Sequence, residues 1–128
     1  MSPMAAPSWQ EIAKMIDHSL LHPTMSDREL MEGIALAGRF NVASVCIKPY
    51  AVKMAAEMLA GSDVRVCTVI GFPHGNSRVD VKVYETERAI EDGATEIDMV
   101  VNIGKVLSED WEYAVSYTHL TLPTKRIV

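Results

Sequence analysis

The chain has 128 residues, close to one modest domain, with 48% hydrophobic residues and a formal net charge of −5. That acidic balance speaks against a nucleic-acid surface, and no run approaches the roughly 20 apolar residues of a membrane span. Two cysteines, and a start (Met1-Ser2-Pro3-Met4-Ala5-Ala6-Pro7) without a basic region followed by an apolar one, point to a reduced, cytoplasmic protein.

Residues 1–7 read as loose. Ser8 and Glu11 have capping-box spacing and open a short helix to about Met15. Residues 16–21 are strand-like and end at Pro23. Ser26 and Glu29 repeat the capping box and open a helix with Leu30, Ile34 and Ala37 on one face, with Gly38 as its C-terminal glycine. Residues 42–47 form a second strand. Pro49 then leads into a helix that turns Val52, Ala55 or Ala56, and Leu59 inward before Gly61 stops it. Residues 64–70, rich in β-branched side chains, form a third strand. After a loop over 71–76, a helix over 78–92 is expected to bury Val79, Val83 and Ile90, with Tyr84 and Ala89 beside them. Gly93 ends that helix, and the stretch to Gly104 reads as a fourth strand. Ser108, Glu109 and Asp110 open a further helix through Trp111.

The order is one helix, three strand–helix units and a fourth strand. Strands starting near 16, 42, 64 and 96 are 22 to 32 residues apart, the rhythm of parallel strands joined by helical crossovers. An open doubly wound sheet and a (β/α)8 barrel both satisfy that rhythm. The polar residues separate them. Alternation puts Asp17 and Ser19 on one face of strand one, and Ser44 and Cys46 on one face of strand two. Thr68 marks a face of strand three, and Glu96, Asp98 and Asn102 share a face of strand four. If these faces coincide, they line a polar lumen. In a doubly wound sheet they would meet apolar helices, at a desolvation cost of several kcal/mol, in rough terms, for each carboxylate left without a partner. The barrel is favoured.

Four motifs carry a family resemblance: Ile16-Asp17-His18-Ser19-Leu20-Leu21, Val45-Cys46-Ile47-Lys48-Pro49-Tyr50, Thr68-Val69-Ile70-Gly71-Phe72-Pro73-His74-Gly75, and the run from Glu91 to Gly104. In that order and spacing the chain resembles the N-terminal half of the bacterial-type deoxyribose-phosphate aldolases, class I Schiff-base enzymes. The resemblance implies a (β/α)8 barrel. It implies reversible cleavage of 2-deoxy-D-ribose 5-phosphate to D-glyceraldehyde 3-phosphate and acetaldehyde through a lysine Schiff base, with no metal and no cofactor. It also implies a small sugar-phosphate substrate, no nucleic-acid or membrane partner, and a homo-oligomer among the expected states. Asp98 matches the proton-relay aspartate of the family. Asp17, Cys46 and Thr68 match positions that line its pocket or support its hydrogen bonds.

Each candidate has a plainer reading. Asp98 could be a structural carboxylate, and the cysteines small buried hydrophobes; Cys67 is read as packing alone. His18 and His22 are four apart but lack a third ligand, so they are not read as a metal pair. Lys48 is read as a solvated or ion-paired loop residue rather than as the Schiff-base lysine, and the loop over 71–75 lacks the Gly-Lys-Ser/Thr of a phosphate-binding P-loop.

The end of the chain departs from the family pattern. Residues 116–128 (Ser-Tyr-Thr-His-Leu-Thr-Leu-Pro-Thr-Lys-Arg-Ile-Val) place threonines and a proline where a helix should continue. They read as sequence foreign to the domain, which is assigned to 1–115. A complete barrel takes about 250 residues, so the resemblance places the Schiff-base lysine and the phosphate-binding loops beyond residue 128. The chain as it stands is expected to be inactive, with strands one and four as open edges. The alternatives are another Schiff-base sugar-phosphate aldolase, or a non-catalytic half-barrel that assembles with a partner.

Overall fold

The computed structural model describes residues 4–116 and the backbone of 124–127. Both serine caps form as their spacing requires. Ser8 Oγ accepts from the Glu11 N–H at 3.2 Å while the Glu11 carboxylate accepts from the Ser8 N–H at 2.6 Å, opening α1 (Trp9–Ala13). Ser26 and Glu29 exchange the same two bonds at 3.3 and 2.7 Å and open α2 (Asp27–Phe40). Leu30, Ile34 and Ala37 form its buried face. The helix runs past Gly38 and ends at Asn41, whose left-handed conformation (φ 50°) does the work expected of a glycine.

The remaining elements are β1 (Asp17–Leu20), β2 (Ser44–Ile47), a 3-10 turn (Pro49–Ala51), α3 (Val52–Met58), β3 (Arg65–Ile70), α4 (Val79–Glu91), β4 (Glu96–Met99), α5 (Ile103–Leu107), α6 (Trp111–Ala114) and β5 (Thr124–Ile127). The strands form one parallel sheet in the order β1-β2-β3-β4-β5. Every connection advances in the same direction, with no reversal of the kind that defines a doubly wound sheet. One face of the sheet, with Leu20, Val45, Ile47, Val66, Ile70, Ile97 and Met99, forms the apolar core with Leu30, Ile34, Val52, Ala55 and Ala89 of the helices. Helices cover that side, and Asp17, Ser44, Cys46, Glu96 and Asp98 fall on the other. This is the wall of a barrel.

Four expectations change. The buried residues of α4 are Lys82, Thr86 and Ala89, while Tyr84 and Ile90 are exposed. A polar face can be buried here because its groups are satisfied at once: Lys82 Nζ donates to Val100 O at 2.8 Å, and Thr86 Oγ1 donates back to Lys82 O at 2.8 Å. β4 stops at Met99, and Asn102 leaves the strand to cap α5, its Oδ1 accepting from Lys105 N at 3.1 Å. The helix expected from Ser108 starts later, with Asp110 as the cap of α6, after an unforeseen α5. Finally, β4 is not an open edge: β5 pairs with it in parallel, Asp98 opposite Arg126. Of the tail read as foreign, residues 117–123 and 128 lie outside the described residues.

Candidate active site

Parallel register fixes which side chains share the concave face. Asp17 pairs with Ser44 and Ser19 with Cys46; Ser44 pairs with Arg65 and Cys46 with Cys67; Cys67 pairs with Glu96 and Val69 with Asp98. At its centre, one ligating atom each from Asp17, Cys46, Cys67 and Asp98 all lie within 4.8 Å of one another. Four consecutive strands thus bring two carboxylates and two thiols to a single point.

Hydrogen bonds hold the group in place. Ser44 Oγ donates to Asp17 Oδ1 at 2.6 Å, and Cys46 Sγ lies 4.0 Å from Asp98 Oδ2. Both cysteines are buried, and both carboxylates are partly buried. At the first residues of β3 and β4, Arg65 meets the buried Glu96 at 3.0 Å, neutralising the next acid on the same face. The Cys67 thiol is pushed far above its ordinary value of 9.0, first by its hydrogen bond with Cys46, then by burial, then by the charges of Cys46, Asp98 and Asp17.

That shift has a sign in stability. A raised pKa means the protonated thiol contributes fully below the ordinary value of 9.0. The contribution falls as pH climbs above it, by up to about 1.4 kcal/mol per pH unit. Lys82, whose pKa is lowered by burial, acts oppositely and gains as pH rises toward 10.5. The difference between two chains therefore isolates the thiol. Cys67→Ala should lose less stability than the parent between about pH 9 and 10 in urea melts; parallel pH profiles would contradict this placement of Cys67.

The sequence-based site is partly redrawn. Asp17, Cys46 and Asp98 are brought together; Thr68 is not among them. Its register partners are Ile47 and Ile97, and its hydroxyl donates to Ile47 O at 2.6 Å on the helix-facing side. Cys67, read as packing alone, takes the place assigned to Thr68. The signal was Arg65: a charged residue cannot face the apolar helices, so Arg65, Cys67 and Val69 had to face the lumen, with Thr68 behind them.

Lys48 donates to His22 O and Met25 O, both at 3.1 Å, tying the β1 loop to the end of β2. His22 Nδ1 lies 2.8 Å from Thr24 Oγ1, while His18 lies on the helix-facing side opposite Val45. Neither histidine belongs to the acid–thiol group. A cleft of about 390 Å³ at the C-terminal ends of the strands is lined by Leu21, Lys48, Tyr50, Val69, Phe72 and Glu85, among others. It is next to the site through Val69, the register partner of Asp98.

Comparisons with known proteins agree with this layout. Residues 11–119 match the DeoC/LacD family aldolase description. Over 110 residues, 86% of this chain, the sequence is 51% identical to a curated deoxyribose-phosphate aldolase of Rhodopirellula baltica and covers 46% of it. A solved aldolase structure superposes with a TM-score of 0.79 at 36% identity, covering 84% of this chain and 48% of the other. A tetrameric deoxyribose phosphate aldolase from Aeropyrum pernix superposes with a TM-score of 0.74 at 24% identity, over 94% of this chain and 53% of the other, a likeness of fold alone. The chain spans about half the length of the curated relatives it matches. Its fold is the N-terminal half of their (β/α)8 barrel.

Proposed function

Because this chain belongs to the DeoC/LacD aldolase family, we propose that it is the N-terminal part of a deoxyribose-phosphate aldolase, which cleaves 2-deoxy-D-ribose 5-phosphate reversibly to D-glyceraldehyde 3-phosphate and acetaldehyde. The observation that carries the reading is the Asp98 carboxylate on the lumen face, set among Asp17, Cys46 and Cys67 by four strands. Aldol cleavage through a lysine Schiff base removes a proton from the substrate hydroxyl and returns one to the enamine carbon. In this reading Asp98 relays those protons. Ser44 orients Asp17 beside it, and the thiols close the floor of the pocket.

The nucleophile lies outside the described residues in this reading. Lys14 bonds Asn41, Lys48 two loop carbonyls, Lys82 Val100 O behind the sheet, and Lys105 Asp110, while Lys53 is exposed on α3. The 128-residue polypeptide alone is therefore expected to give no turnover. The domain is assigned to 1–115, and residues 116–128 to foreign sequence. The pairing of β5 with β4 does not oppose that assignment, since an open strand edge accepts any extended segment. Reading the gene past codon 115 tests it: a continuing βα pattern different from 116–128 supports it, and the same residues in the genome exclude it.

The family reaction, a cytoplasmic location and assembly into a homo-oligomer are parts of one proposal. No helix among the described residues is long and apolar enough to cross a membrane. The test of the reaction is release of acetaldehyde from 2-deoxyribose 5-phosphate by the full-length protein. Preference for another sugar phosphate would favour a different Schiff-base aldolase.

A further inference from the structure

The four atoms that converge on the lumen face are two sulfurs and two carboxylate oxygens, and the proton relay of the aldolase reaction calls for neither sulfur. We propose that Asp17, Cys46, Cys67 and Asp98 form a binding site for one thiophilic divalent cation of the zinc(II) type. The chemistry selects the ion. Two thiols disfavour magnesium and calcium, which take oxygen ligands, and two sulfurs with two oxygens suit a tetrahedral centre.

The geometry is close to what such an ion requires. Bonds of about 2.3 Å to sulfur and about 2.0–2.2 Å to oxygen place tetrahedral ligands roughly 3.3–3.8 Å apart. Here all four ligating atoms already lie within 4.8 Å, so closure takes contractions of about 1.5 Å at most, within reach of side-chain rotation. The backbone positions are fixed by three ladders of parallel pairing. Ser44 Oγ on Asp17 Oδ1 is the kind of outer hydrogen bond that orients a ligating carboxylate. On binding, each thiol releases its proton to solvent and coordinates as thiolate. The clustered negative groups that would oppose a bare thiolate instead favour the dication. Among the described residues no histidine joins the group, and His18 lies on the other side of the sheet.

The consequence for the proposed reaction is that a bound cation occupies Asp98 and stops its proton traffic. Binding itself stands apart from that reading and can be measured without turnover. Cys46 and Cys67 are the chain's two cysteines, so every sulfur-to-metal charge-transfer signal reports this site.

The experiment is titration of the reduced 128-residue chain with Cd²⁺, followed by the ultraviolet thiolate band, with circular dichroism to establish folding. The result expected is saturation at one ion per chain with the intensity of two Cd–S bonds. Asp17→Asn and Asp98→Asn should each keep the two-sulfur intensity and weaken binding at least on the order of tenfold, the lower range for losing a supporting group at a metal site. An unfolded chain also offers two thiols, so the titration is repeated in urea, where affinity should fall. A band of single-thiolate intensity, equal affinity in native and denatured chain, or unchanged affinity in both asparagine variants would each overturn the site.

Discussion

In the full-length protein, Asp98→Asn is expected to lower kcat by about 10²–10⁴-fold, the range for loss of a positioned acid–base group. Circular dichroism and the urea midpoint should remain near those of the parent. Asparagine keeps the shape of the side chain and an acceptor oxygen, but it cannot carry a proton. The position makes this separation readable. Asp98 lies between Ile97 and Met99, which face the helix-side core, and its own side chain faces the lumen within reach of Cys46. The core is therefore not asked to repack. If Asp98 were only a structural carboxylate, the variant would lose stability and keep its turnover per folded molecule. That pattern would remove the relay role while leaving the family assignment intact.

Gly75→Ala should be the most damaging of the glycine-to-alanine substitutions, destabilising by on the order of 3 kcal/mol or more from combined backbone strain and overpacking. Gly75 has φ +68°, a conformation that side chains rarely adopt. A Cβ there would run into Val101 O and stand 2.7 Å from Val101 C and 2.9 Å from Val100 Cγ1. Two of these three obstacles are backbone, which cannot rotate away. The Gly75 N–H also donates to Gly71 O at 2.7 Å, so the turn after β3 is closed against the end of β4 at one place. Gly61 supplies the control. Its φ is +79° with nothing within 4 Å, so Gly61→Ala carries backbone strain alone, about 1 kcal/mol. Equal urea midpoints for the two variants would contradict the packing argument.

Much of this architecture was legible from residues alone, for identifiable reasons. Helix starts were marked by Ser8 with Glu11 and Ser26 with Glu29, where spacing and chemistry coincide. The buried stripes of α2 and α3 were apolar at helical spacing, and Leu30, Ile34, Ala37, Val52 and Ala55 are buried as expected. The α4 stripe was misread because its buried residues include Lys82 and Thr86, whose polar atoms find carbonyls that no periodicity reveals. At the site, alternation along β3 left two faces to choose from. Thr68 drew attention as the more polar residue, yet Arg65 at the strand start decided the orientation in favour of Cys67. Asn102 is two positions from Val100 and looked like a strand residue, although the backbone had already left the ladder at Met99. The convergence of four side chains depends on the stagger between strands, which pairs Cys67 with Glu96 and Val69 with Asp98. That stagger is a property of the sheet and is not written in any one motif.

In the proposed function this half-barrel supplies the proton-handling wall of a Schiff-base aldolase whose nucleophile lies elsewhere in the protein. Borohydride trapping with 2-deoxyribose 5-phosphate, followed by peptide mass mapping, addresses it directly. A single reduced adduct is expected on the full-length protein, at a lysine beyond this sequence, and none on the 128-residue chain. A stoichiometric adduct on Lys48, Lys82 or any other lysine within residues 1–128 would contradict it.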